Sequence, residues 1–222
     1  VMGNFDRADA RSFTMGLEGN LLTELGGAMR MASERHIEHN VFYGNADLGM
    51  SGFINYVGVP STTAALNAGA TSTAWADKTP EEIINDIVGA LSDVFINSNG
   101  VHVADTVFLP PLHFAMLVSI KSSIASDKSL LEWISTNNIS TAKTGKPLVF
   151  ADLRYLTDAG AGATTRMIVG EMKGRNLWFP MQLPFDMLEP QKQGFGVEIF
   201  AEYSMGGVHL KRPLAFAYVD EI

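Results

Sequence analysis

Cysteine is absent, which excludes disulfides and thiolate metal sites and leaves nothing that points to an oxidising compartment. No apolar run approaches the roughly 18 residues of a membrane span. The opening residues, which begin at Val1 rather than a start Met, carry no signal-peptide pattern. Basic residues are few, 16 Lys and Arg against 24 Asp and Glu, for a formal net charge of −8. They are scattered, with small groups only at 143–146, 173–175 and 211–212. Neutralising phosphates needs clustered cations, so sequence-specific DNA binding is not expected and at most a local patch touches nucleic acid. A Gly-x-Ser-x-Gly elbow and a Walker lysine are missing too, and no internal repeat is found.

What is present is apolar. Hydrophobic residues make up 46% of the 222 and charged ones only 18%, enough to bury a core and too little charge for a disordered chain. The length fits one large domain or two small ones. The 21 glycines and 11 methionines fit a protein that buries surface against neighbours. One stretch, 41–59, combines Gly44, Gly49, Gly52 and Gly58 with Phe42, Tyr43, Phe53 and Tyr56. Glycines allow tight turns and aromatic rings anchor them, so a fixed bend between two packed parts is expected there.

Residues 6–43 read as one long helix, with Phe13, Leu17, Leu21, Leu25, Ala28 and Ala32 as its apolar stripe. Residues 60–76 read as a loop or weak strand pair. Thr79, Pro80 and Glu82 form a helix start with a capping box, followed by a buried stripe from Ile83 to Phe95. A strand at 105–109, helices at 112–124 and 130–137, and strands at 146–151 and 166–171 predict helices covering a small sheet. Residues 178–190, broken by three prolines, are expected to cross a surface. Residues 195–203 and 208–218 alternate and predict a hairpin about Gly206 and Gly207.

Candidate chemistry is thin. His36 and His39, with Glu34 and Glu38, stand three apart where helical metal-binding pairs stand four apart, so a solvated face is the plainer reading. The 160–165 loop has no Walker lysine and precedes a strand, so it reads as a tight turn. His102, His113 and His209 sit among apolar neighbours and read as packed or rim residues. Asp105 has no evident partner. Trp75, Trp133 and Trp178 are spread out, which suits core or interface anchors better than a base-stacking platform. No residue is assigned a catalytic, cofactor-binding or metal-binding role.

A helix is followed by F-Y-G-N at 42–45, G-x-x-G-F-I-N at 49–55, Trp75, T-P-E-E-I-x-x-D-I at 79–87 and D-T-V-F-L-P-P at 105–111. Then come R-M-I-V-G-E-M at 166–172, F-P-M-Q-L-P at 179–184, the 191–194 turn and a closing run G-G-V-H-L-K-R-P-L-A-F-A-Y-V-D-E-I. In this order the segments resemble the major capsid proteins of tailed bacteriophages, whose Hong Kong 97-type fold is shared with encapsulin shells. The resemblance covers nearly the whole chain. It implies an α+β fold in which a peripheral domain with a long spine helix and β-strands accompanies an α/β axial domain. Its expected divisions are 1–59 for the spine and junction, 60–173 for the axial domain and 174–222 for the returning strands. It implies a non-enzymatic coat protein of the virion, assembled in the bacterial host cytoplasm, whose partner is itself, in pentamers and hexamers of an icosahedral shell. Scaffold, portal or decoration proteins are further partners of such shells, with packaged double-stranded DNA touched only non-specifically, no membrane and no cofactor. The alternatives are an encapsulin-type nanocompartment and a small α/β enzyme. The family's N-terminal arm and extended hairpin would precede the spine helix, so they are expected upstream of this chain or lost from it.

Overall fold

The computed structural model describes residues 2–5, 21–121, 128–193 and 196–222. In chain order the elements are β1 (Met2–Phe5), α1 (Leu21–Tyr43), β2 (Gly44–Asn45), β3 (Met50–Ser51), β4 (Ser61–Thr63), α2 (Pro80–Asn97) and β5 (Thr106–Leu109). They continue with α3 (Pro111–Ser119), α4 (Leu130–Thr136), α5 (Ile139–Thr144), β6 (Val149–Asp152), β7 (Arg166–Gly170) and β8 (Leu177–Trp178). The rest are β9 (Met181–Met187), β10 (Gln191–Gln193), β11 (Gly196–Met205), β12 (His209–Leu210) and β13 (Phe216–Asp220).

The chain divides into two compact units. Unit one is Val1–Phe53 with Phe179–Val208, and unit two is Ile54–Trp178 with His209–Ile222. The first crossing, between Phe53 and Ile54, falls inside the glycine- and aromatic-rich stretch 41–59. The units differ from the division 1–59, 60–173 and 174–222, chiefly because the closing residues 209–222 belong to unit two.

In unit one, β11 is the central strand. It pairs antiparallel with β1 and β10 along its first half and with β9 along its second. The proline-punctuated segment is therefore a paired strand rather than a surface crossing. The ladder shifts register between Glu202 and Ser204, and Pro184, which has no N–H to donate, falls in that irregularity. On α1, Met29 and Ser33 are buried while Ala28 and Ala32 are exposed. Met29 packs with Ile199 and Ala201 of β11, with Leu25 and Phe185 beside them. The buried stripe thus lies one residue over from the one expected, because methionine carries volume that alanine lacks. The part of the expected helix before Leu21, with Phe13 and Leu17, lies outside the described residues.

Unit two holds a five-stranded sheet in the order β4-β13-β7-β5-β6. The expected hairpin of 195–203 with 208–218 does not form. Instead β13 runs parallel to β4 and antiparallel to β7. All five residues of β7 and all five of β13 are buried, so these central strands are covered on both faces. One face carries Val107, Leu109, Met167, Val169, Ala217 and Val219 and packs against Ile83, Ile87, Leu91 and Val94 of α2.

The start of α2 follows the sequence closely. The Thr79 side chain accepts from the Glu82 N–H, and the Glu82 carboxylate accepts from the Thr79 N–H at 2.7 Å. These Thr79 bonds hold the Glu82 carboxyl below its usual range. Thr79→Ala should lower unfolding stability by about 1 kcal/mol, the usual cost of losing an N-cap, as read from urea denaturation. Helix α3 ends at Ser119, short of the 112–124 span, and residues 122–127 lie outside the described ones. Ser129 caps α4 by accepting from the Glu132 N–H, whereas Asp127 lies outside the described residues. Residues 191–193 are strand β10 rather than part of a turn.

Candidate functional site

The histidines do not converge. On α1, His36 Nδ1 lies 2.5 Å from the Tyr203 hydroxyl, while the His39 ring packs on Tyr43 with centroids 4.9 Å apart. Among the described residues, no group of three or more His, Asp or Glu side chains is placed to hold a metal ion. His113 is buried edge-on to Trp75, with centroids 5.4 Å apart. Burial pushes its imidazole below the usual range. His209 stacks on the half-exposed Trp178. Trp75 is a core anchor whose indole N–H donates to Asp86, the partner of the buried Lys78 ammonium. Trp133 is partly buried against the core.

The 160–165 loop is a tight turn. The Gly160 N–H donates to Thr164 O, and Gly162 and Ala163 take positive φ. Asp105 has partners that the sequence did not reveal: its Oδ1 accepts from the Met172 N–H and the Thr106 hydroxyl, each at 2.9 Å.

Two charged knots stand out, both in unit two, and neither was singled out from the sequence. In the first, Arg166 Nε and Nη2 donate to the two oxygens of Asp220 at 2.6 and 2.8 Å, and Nη1 donates to Ile54 O at 2.5 Å. The guanidinium lies over the Tyr218 ring at 4.6 Å. Burial pushes the Tyr218 hydroxyl up to about 12, so it stays protonated. A cleft of about 380 Å³ opens here between residues 55–61 and the 159–161 turn. Arg166, the charged group on its wall, is already paired with Asp220, so the knot ties the ends of the two central strands to the chain entering the unit.

In the second knot, buried Glu171 accepts from His102 and Asn176, each at 2.7 Å on Oε2, and from Lys173 and Arg175 on Oε1. Burial alone would raise the Glu171 carboxyl, but bonds from Lys173, His102 and Asn176 outweigh it and bring it to about 2 against an ordinary 4.5. A depressed carboxyl contributes stability that is full above its unfolded value and is lost as pH falls through its folded one. Unfolding stability should therefore decline from about pH 4.5 toward 2, and more steeply in the wild type than in Glu171→Gln. Urea midpoints across that range measure the difference, and parallel curves would remove Glu171 as the cause.

Neither knot presents an unengaged base beside a nucleophile. Both are built as clamps between segments far apart in sequence.

The sequence matches the major capsid protein family over residues 14–222. The chain belongs to that family. No curated protein sequence matches it. Among solved structures, the capsid of Myoviridae phage XM1 superposes with a TM-score of 0.83 at 16% identity, covering 100% of this chain and 72% of that one. The capsid of an empty GTA particle gives 0.61 at 13% identity, covering 99% and 71%. The capsid of cyanophage P-SCSP1u gives 0.60 at 14% identity, again covering 99% and 71%. At such identities the likeness is one of fold, and that fold is the Hong Kong 97-type capsid fold. The major capsid protein described here is a structural subunit of a virion shell and not an enzyme. It acts in many copies. No helix among the described residues is long and apolar enough to cross a membrane.

Proposed function

We propose that this coat protein forms pentamers and hexamers that close into an icosahedral shell around double-stranded DNA. The observation that carries this reading is the family match over 14–222 joined to a fold that aligns along the whole chain with a phage capsid. Unit one, with α1 and the β11 sheet, serves as the peripheral domain and α1 as its spine. Unit two, with the five-stranded sheet, serves as the axial domain facing the symmetry axes. Scaffold, portal and decoration proteins are the further partners of such a shell. DNA contacts are non-specific, consistent with a net charge of −8.

Full-length protein expressed alone or with its neighbouring phage genes should give rings, sheets or closed shells by electron microscopy. Full-length protein that stays monomeric at every concentration would refute the reading.

A further inference from the structure

The sequence spreads its few cations, but the fold gathers four of them. Segments 171–178 and 209–215 run side by side, held by the β8–β12 ladder, by Lys211 N–H to Asn176 O at 2.8 Å and by Glu171 N–H to Ala215 O at 2.9 Å. Lys173, Arg175, Lys211 and Arg212 therefore share one end of unit two. The carboxylates among them are Glu171, buried in the knot, and half-buried Asp105, occupied by Met172 and Thr106. Lys173 and Arg175 are about half exposed, and Lys211 lies over the Trp178 ring. Arg212 makes no ion pair among the described residues and lines a cleft of about 350 Å³. The other walls of that cleft are largely apolar, with Val101 67% and Leu214 46% exposed and Pro213 between Arg212 and Leu214.

Such a basic and apolar surface is complementary to one that is acidic and apolar. Unit one carries eleven carboxylates and five cations, and unit two thirteen and eleven, of the chain's 24 and 16. Within unit one the segment Asp186-Met187-Leu188-Glu189 is exposed along its whole length, with Met187 46% and Leu188 39% open. Neither Asp186 nor Glu189 makes an ion pair among the described residues. Two apolar residues flanked by two carboxylates match an apolar cleft with Arg212 on its wall and Lys211 beside Arg212 in sequence.

We propose that the cleft between Val101 and Leu214, with Arg212 on its wall, is a subunit contact that receives residues 186–189 of a second copy. The inference rests on the shell reading above. Nucleic acid fits the surface less well, because a phosphate backbone would leave Val101 and Leu214 facing water. Charges at such a rim select and orient partners, whereas the buried apolar pair supplies contact area.

The test uses full-length protein and charge reversal. Arg212→Glu, and separately Asp186→Arg with Glu189→Arg, should each raise the protein concentration needed for assembly by about tenfold or more, since like charges brought together at an interface repel strongly. Combining the two sets should restore most of the loss. Unchanged thermal unfolding of the unassembled variants shows that folding is intact. Leu214→Ser should weaken assembly without changing its dependence on salt. Normal assembly of Arg212→Glu, or a loss that the opposite reversal does not repair, would overturn the proposal. So would intact assembly with reduced DNA retention, which would assign the patch to nucleic acid. If wild-type protein formed no assemblies, the shell reading would fall with it. A competent wild type beside a fully competent Arg212→Glu variant would remove this proposal alone.

Discussion

Gly52→Val should abolish soluble, assembly-competent protein. A Cβ on Gly52 would stand 2.0 Å from Phe42 O, 2.4 Å from Phe42 C and 2.5 Å from Tyr43 C. All three are backbone atoms, so no side chain can swing aside. The close approach is maintained by β2–β3 pairing and by Phe53 N–H donating to Val41 O at 2.8 Å. Gly44→Val is opposed twice, by a φ of +78° and by Met50 O only 2.2 Å from where the Cβ would stand. Either change falls among the rare substitutions that cost more than about 4 kcal/mol. Gly27→Ala is the matched control. It lies on α1 with nothing within 4 Å of the new methyl, and it should stabilise the helix by up to roughly 1 kcal/mol. Soluble yield, thermal unfolding and shells by electron microscopy report on all three variants. Normal shells from Gly52→Val would mean that the turn is remade without the contact.

Asp220→Ala is expected to cost about 3–5 kcal/mol, because it strands the Arg166 guanidinium inside unit two without its carboxylate. The side chains of the pair are only 10% and 7% exposed, so water replaces the lost bonds poorly. Arg166→Met combined with Asp220→Leu should cost much less than the single change, since an apolar pair of similar volume leaves no buried charge. Urea denaturation of the three proteins separates the outcomes. A loss under about 1 kcal/mol for Asp220→Ala would place the pair in the class of exposed salt bridges.

Local chemistry was legible in the sequence and long-range pairing was not. The start of α2 could be read because Thr79, Pro80 and Glu82 act within one turn. The bend at 41–59 could be read because glycine and aromatic residues act on their own backbone. The partner of 208–218 was misread because alternation marks a strand without naming its neighbour. Gly206 and Gly207 looked like a hairpin turn, yet β11 ends at Met205 in one sheet and β13 begins at Phe216 in another. The two charged knots escaped notice for the same reason. Glu171 and His102 are separated by 69 residues and Arg166 and Asp220 by 54. The only hint was an ionisable residue beside each buried strand, as Arg166 and Glu171 flank M-I-V-G. Family resemblance carried the overall fold because order along the chain survives when individual contacts cannot be inferred.

The place of β13 between β4 and β7 has a consequence for timing. A ribosome delivers residues 216–220 after every other strand described here. Until they emerge, β4 has no partner and β7 keeps a bare edge, the kind of edge that invites mispairing with other chains. The pairing of β13 joins parts of the chain distant in sequence, the kind of contact that forms slowly. A chain still short of these residues therefore lacks the strand that joins β4 to the rest of its sheet.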